Sequence, residues 1–173
     1  MKRGFSLIEL LIVIVIIGVV YTLAVTKLKS VGEDKQSPSF LNLKEYLGTY
    51  IKTDGDNASL VCLDDCKECL VLVDGVKVDT IESFFDASVE RYRYSDYEGA
   101  VELAEAVYFN EDGVQEDVCF SFSLQRNKVA QQMIVVYKDK AYDYTSFFSK
   151  TKEYESLGDF RDAKEEAYQR VMQ

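Results

Sequence analysis

The sequence contains no histidine. A Ser-His-Asp triad, a Cys-His nucleophile pair and a His-containing zinc site are therefore excluded, and most familiar hydrolytic chemistry goes with them. Positive charge is also scarce: 20 Lys+Arg stand against 30 Asp+Glu, a net charge of −10. A chain this acidic repels phosphate backbones at long range, so nucleic acid is a disfavoured partner unless a local basic patch exists. The single proline is Pro38, and there is no Pro-rich linker, internal repeat or low-complexity tract. What is present is a chain of 173 residues, 47% hydrophobic, with 12 Tyr and 10 Phe. That suffices for one compact body of roughly 140 residues with its own core, preceded by an N-terminal segment.

The N-terminal segment reads MKRGFSLIELLIVIVIIGVVYTLAV. From Phe5 to Thr26 it carries one charge, Glu9, and the next is Lys27. As a helix this stretch would span about 33 Å at ~1.5 Å per residue, enough to cross a bilayer once. A conventional secretory signal has a shorter apolar stretch and a small-x-small cleavage site, for which Thr22-Leu23-Ala24 is only a fair candidate. With no cysteine in or just after the run, a lipoprotein anchor has no support. Charge does not orient the segment, because Lys2 and Arg3 on one side are matched by Lys27 and Lys29 on the other. Glu9 is the informative residue, since an ionised group near hydrocarbon costs several kcal/mol by most scales and a plain anchor gains nothing from it. A cleavage between Gly4 and Phe5 would create a compensating cation, the new α-amino group of Phe5, at the same depth.

KRG followed by FSLIELLIVIVIIGVVYTLAV resembles the processing and assembly segment of the type IV pilin and pseudopilin superfamily. In that family a short basic leader ends in Gly, a membrane prepilin peptidase cuts after it on the cytoplasmic side, and the new first residue, usually Phe, is N-methylated. The fifth mature residue is Glu, the place Glu9 takes here. The resemblance implies processing at Gly4 and Phe5, with Glu9 neutralising the Phe5 amine of an adjacent subunit as helices stack into a filament. It also implies a leader of residues 1–4, a transmembrane helix over 5–26, a helix continuation over 27–53 and a globular head over 54–173. The leader would be cytoplasmic, and the chain would cross the bacterial inner membrane once with its head periplasmic or otherwise extracytoplasmic. Cleavage removes Lys2 and Arg3, leaving 18 basic side chains against 30 acidic ones, a net of −12.

In the body, Gly32 and Pro38 interrupt the first helix, predicting a kink or short gap near 30–38, with Ser37 as N-cap and Pro38 at the first position of a restarted helix. Phe40, Leu43, Leu47 and Tyr50 recur at helical spacing and predict an amphipathic helix to about Lys52 whose apolar stripe lies on a sheet. CLVLV-DG-VKV over 69–78 is the strongest hairpin signal. A helical turn is expected over 81–87 and a strand from Val89 to Tyr94. A second hairpin pairs 103–109 with 117–124, where Val118, Phe120, Phe122 and Leu124 alternate against polar positions, and a third pairs 131–137 with 141–145 around Lys138-Asp139-Lys140. Asp159 is expected to cap a C-terminal helix in which Phe160, Ala163, Ala167 and Val171 share a face. Hairpins with helices kept to the ends predict an α+β fold, an antiparallel sheet packed on the N-terminal helix. The family resemblance implies the same architecture.

Cys62, Cys66 and Cys69 form CLDDCKEC, and Cys119 is distant. The spacing lacks the paired C-x₂-C halves of a zinc ribbon, and beyond the membrane disulfides are the natural outcome. Three connectivities exist; a bridge from the 62–69 cluster to Cys119 is favoured because it would staple the first hairpin region to the central strand. No thioredoxin-like pattern surrounds Cys66-x-x-Cys69. Asp54, Asp56 and Asn57, or Asn110, Asp112 and Asp117, could offer oxygen ligands to Ca²⁺, but neither matches the twelve-residue loop, and solvated turns are favoured. No cofactor is otherwise expected. Arg91-Tyr92-Arg93-Tyr94 alternates cations with aromatics, a format that could grip single-stranded nucleic acid; exposed-face residues are the simpler reading.

Long-fibre pilins usually carry a cysteine pair near the C-terminus, and nothing after Cys119 can supply one, which favours a minor pilin or pseudopilin. VYFNEDGVQEDVCFSF loosely resembles a strand-turn-strand of minor pseudopilins in type II secretion. The expected function is structural, not enzymatic: a subunit of a type II secretion, type IV pilus or DNA-uptake (competence) filament, with prepilin peptidase and other pilin subunits as partners. The alternative is a soluble extracytoplasmic binding protein released by a conventional signal peptidase.

Overall fold

The computed structural model describes residues 7–31, 37–52, 56–95, 97–104, 106–110, 112–147 and 149–171, with side chains of the first helix as far as Tyr21. The chain divides into two compact units, Met1–Ser37 and Pro38–Gln173. The first contains α1 (Leu7–Val31), a run of aliphatic residues with no proline to break it. The kink expected near 30–38 falls largely on residues 32–36, outside the described residues.

The second unit is α+β. Among the described residues, two five-stranded sheets, antiparallel throughout, hold ten strands. The first runs in the order β3 (Val76–Glu82), β2 (Glu68–Val73), β1 (Ala58–Leu63), β7 (Gln115–Leu124), β6 (Ala106–Phe109). The second runs β10 (Lys152–Tyr154), β9 (Lys140–Asp143), β8 (Ile134–Tyr137), β4 (Glu90–Ser95), β5 (Gly99–Glu102). The three expected hairpins are all present. The Asp74-Gly75 turn has positive φ at both residues (48° and 82°), the combination that lets a two-residue loop follow the strand twist. Lys138-Asp139 repeats it without a glycine, at φ 48° and 66°.

The helix expected over 38–52 is shorter. α2 spans only Leu43–Gly48, and Ser37-Pro38 does not start it. Asn42 occupies the cap, and its side chain accepts the Ser39 amide at 2.7 Å instead of serving the helix. The stripe still packs as expected: Phe40, Leu43, Tyr46 and Leu47 are buried against β1 and β7 residues such as Leu60, Phe122 and Leu124. Phe40 sits among five rings, Phe84, Phe85, Phe120, Tyr137 and Tyr142, at centroid distances of 4.9–5.8 Å, and the Tyr144 hydroxyl donates to its carbonyl oxygen. Each favourable ring pair adds roughly 0.5–1.5 kcal/mol beyond area burial.

Residues 81–87 form no helical turn. β3 continues through Glu82, and the following bend is closed by the Ser83 hydroxyl, which donates to the Phe85 carbonyl at 2.8 Å. Val118, Phe120, Phe122 and Leu124 are all buried, but not in one cluster. Across from them the register passes from Cys62↔Phe120 to Leu63↔Val118, so Cys119 has no partner in β1. The extra residue is a bulge that reverses the facing of the strand. Val118 therefore joins Val61, Leu70 and Leu72 on the opposite face, while Phe120 and Phe122 enter the main core.

The C-terminal helix α3 (Leu157–Val171) is capped by Ser156, not by Asp159. Ser156 Oγ accepts the Asp159 amide at 3.0 Å and donates to Asp159 Oδ2 at 2.7 Å, a reciprocal cap in which Asp159 is the third helical residue. Phe160 is fully buried against Ile134 and Ala141, and Ala163 is half-buried. Ala167 and Val171 are exposed, because the helix extends past the sheet it docks on. Ser156→Ala is expected to lower stability by about 1 kcal/mol, read from urea unfolding monitored by circular dichroism; an unchanged midpoint would show that the cap carries no net energy.

Candidate functional site

The cysteines, the acidic loops and the basic strand are the candidates carried by the head. All four cysteines are paired, Cys62 with Cys69 and Cys66 with Cys119. Cys62 and Cys69 face each other in the β1/β2 register with Cα atoms 4.0 Å apart. Cys66 lies in the turn between those strands and reaches Cys119 at the bulge, Cα to Cα 5.7 Å. Among the described residues no group of three or more Cys, Asp or Glu is placed to hold a metal ion.

The asparagines and Asp56 of the acidic loops are already bonded to other protein groups, some on their own turns and some on distant strands. Asn110 Oδ1 accepts the amides of Asp112 and Val114 at 3.1 and 2.9 Å, and its Nδ2 donates to Glu116 at 2.8 Å. Asn57 Oδ1 accepts the Arg126 amide, its amide groups donate to Asp74 Oδ1, and Asp56 accepts the Lys52 amide. Asp54 lies outside the described residues. The Arg-Tyr strand is also committed elsewhere. Arg91 is buried and donates to Ser121 Oγ and the Ala104 carbonyl at 3.1 and 3.2 Å. Tyr92 donates to Glu90 at 2.6 Å, a bond that pushes its phenol up to about 12. Arg93 pairs with Glu98 at 2.9 Å, and Tyr94 packs edge-on against Phe160. Although positions two apart on a strand share a face, Arg91 is buried against Ser121 and Ala104 while Arg93 is exposed and paired with Glu98, so the two arginines form no common cationic groove.

The remaining candidate is α1. Every described side chain from Leu7 to Tyr21 is exposed, and Leu, Ile and Val residues 44–82% exposed cover the whole circumference. A helix apolar all round is stable only with lipid or other helices about it. Glu9 stands in the first turn, where the helix dipole favours a carboxylate. Gly4 and Phe5 lie outside the described residues. Among the described residues no helix is long and apolar enough to cross a membrane.

Residues 1–25 match the family described as the prokaryotic N-terminal methylation motif. The chain has a type IV pilin-like N-terminus. Comparisons with curated proteins and with solved structures give no significant match. For a pilin-like chain the motif implies cutting by prepilin peptidase, a membrane-anchored N-terminus and assembly with other pilin subunits. The α+β head following an N-terminal helix is consistent with a pilin-like fold.

One arrangement in the head escapes the sequence. Asp143, at the end of β9, is 4% exposed and accepts the Thr145 amide and hydroxyl at 2.7 and 2.6 Å. It also faces Lys164 of α3 at 3.1 Å. The only available signal was an aspartate inside an apolar hairpin, and nothing in the spacing links it to a lysine 21 residues away.

Proposed function

We propose that this pilin-like chain is a minor pseudopilin or minor pilin, a structural subunit of a type II secretion, type IV pilus or DNA-uptake filament. Prepilin peptidase cuts after Gly4, where a residue without a side chain lets the backbone enter a narrow site. Phe5 then carries the free, methylated amine. Residues 5–26 span the inner membrane once, with the leader cytoplasmic and the head extracytoplasmic. Glu9 neutralises the Phe5 amine of a neighbouring subunit, a pair in which each partner is otherwise stranded in low dielectric. The work is mechanical rather than enzymatic: helix packing sets subunit order, and the head contacts neighbours or exported cargo.

The observation that carries this reading is the methylation motif continuous with a helix apolar on every side and holding one carboxylate in its first turn. The absence of any cysteine beyond Cys119 favours a minor over a long-fibre subunit. Intact mass of the chain from membranes tests it. The expected mature chain begins at methylated Phe5; one beginning near Val25 would instead identify a soluble protein released by signal peptidase.

A further inference from the structure

The disulfides of the head do not follow the order of the cysteines along the chain. Cys62 pairs with Cys69 across a sequence separation of 7, and Cys66, which lies between them, pairs with Cys119 across a separation of 53. Four cysteines allow three complete pairings, and each of the other two contains a bridge between chain neighbours, Cys62–Cys66 or Cys66–Cys69. Closure of a flexible loop falls off as about the 3/2 power of its length, so a bridge across 7 residues forms roughly 20-fold more readily than one across 53. Bridges inside the 62–69 cluster therefore come first. Of the three possible there, two consume Cys66, the cysteine that has to wait for Cys119. In the orientation proposed above, the cluster also emerges from the membrane before Cys119 does.

Nothing local selects the native partners. Cys62 and Cys69 face each other only in the β1/β2 register, and a two-stranded hairpin by itself is at best marginally stable in water. Its turn holds Asp64 and Cys66 at positive φ (50° and 62°) with no glycine to ease either, unlike the turn at Asp74-Gly75. Cys119 comes within reach of Cys66, Cα to Cα 5.7 Å, at the β7 bulge, which exists only once β7 lies along β1. A wrong partner is also near, because Cys119 Sγ lies 3.4 Å from the carbonyl oxygen of Cys62. In the folded head Cys62, Cys66 and Cys69 are 0–1% exposed within the main core, so a misplaced bridge has to be corrected while the sheet is still open. Charge opposes that correction. The attacking species is an anionic thiolate, yet Asp64, Asp65 and Glu68 stand among the clustered cysteines with Lys67 their one cation, and Glu116 and Asp117 precede Cys119.

We infer that the unfolded head is a substrate of a disulfide isomerase, a partner protein with an accessible low-pKa thiolate; the inference rests on the extracytoplasmic placement proposed above. A disulfide oxidant makes the first two bridges, each by reduction of one of its own disulfides to two thiols. The isomerase then rearranges them with no further oxidant. In the form bridged Cys62–Cys66 and Cys69–Cys119, its thiolate attacks Cys62 Sγ, and Cys66 leaves as a thiolate. Cys66 attacks Cys119 Sγ and releases Cys69. Cys69 attacks Cys62 Sγ in the mixed disulfide, and the isomerase thiolate leaves unchanged. Each step forms one S–S bond and breaks one. The other mispaired form, Cys66–Cys69 with Cys62–Cys119, follows the same three steps with Cys62 and Cys69 exchanged.

The test uses the full-length chain in detergent micelles, reduced and unfolded in urea, then diluted and reoxidised by a disulfide-donating oxidase with or without a catalytic amount of disulfide isomerase. Alkylation stops exchange at intervals. Cleavage before Asp64 and after Lys67 puts the three clustered cysteines on separate peptides, so mass spectrometry assigns every bridge. Without isomerase, Cys62–Cys66 and Cys66–Cys69 are expected to dominate the early samples, and isomerase to speed the appearance of Cys66–Cys119 several-fold. Cys62→Ala with Cys69→Ala leaves Cys66 no wrong partner, and its bridge to Cys119 should form at one rate with and without isomerase. The inference is overturned if the parent acquires both native bridges equally fast without isomerase, if the native bridges are the first to appear unaided, or if the double variant depends on isomerase as much as the parent. Bridge mapping reports even on a variant that folds poorly. None of these outcomes depends on where the N-terminus is cut or on which side of the membrane the head lies.

Discussion

Under the proposed function, Glu9→Val is expected to leave the chain cut, inserted and folded, yet absent from filaments. The substitution makes the segment more apolar, so insertion is favoured, not impaired. What it removes is the counter-charge proposed for the Phe5 amine of the next subunit. Breaking a buried pair by deleting one member typically costs about 3–5 kcal/mol, because the other charge stays buried without compensation. Per subunit contact that is roughly a 10²–10⁴-fold loss. Fractionation of sheared filaments from membranes, with the variant followed by immunoblot, gives the readout. Glu9→Asp, with the charge kept on a shorter arm, should incorporate partially. Incorporation of Glu9→Val at the parental level would remove the proposed reason for a carboxylate in this segment.

The second large effect is on the head. Cys66→Ala with Cys119→Ala is expected to lower its stability by about 4 kcal/mol. The bridge closes a loop of sequence separation 53, and in the chain-entropy treatment the loss grows with loop length. Cys62→Ala with Cys69→Ala, across a separation of 7, should cost about 2.5 kcal/mol on the same basis. The long bridge also fixes the unpaired bulge residue of β7, so its loss frees the point where Val118 and Phe120 part to different faces. Against a typical total of about 5–15 kcal/mol, 4 kcal/mol decides whether the head stays folded. Urea unfolding of the detergent-solubilised chain, parent against each double variant under non-reducing conditions, orders the two effects. A long-bridge variant as stable as the parent would refute the staple.

The elements that sequence reading located share one property: their signal is local. The Asp74-Gly75 hairpin, the strand from Gln115 to Leu124 and the C-terminal helix are each announced by turn chemistry or by a period of 2 or 3.6. β1 was not found, although it is central to its sheet. Ala58, Leu60, Val61 and Cys62 are all buried, so the strand has no alternation to read. β5 and β10, at four and three residues, are too short to show a period. The α2 stripe was read correctly as core, but its length was overstated, because apolar spacing continues through Phe40 and Tyr50 while the hydrogen-bonded helix stops short of both.

Some properties of this protein are decided by the residues alone. Absence of histidine excludes whole classes of chemistry in any fold, and the N-terminal motif acts through order and spacing along one helix, which a peptidase and a bilayer read before the head matters. Other properties exist only in three dimensions. Whether Arg91 and Arg93 share a face with anything, which cysteine meets Cys119, on which side of the sheet Val118 falls, and that Asp143 holds Lys164 all depend on contacts between segments tens of residues apart. Those contacts are set by register and by one bulge, and a single-residue shift in either would reverse the facing of every side chain beyond it.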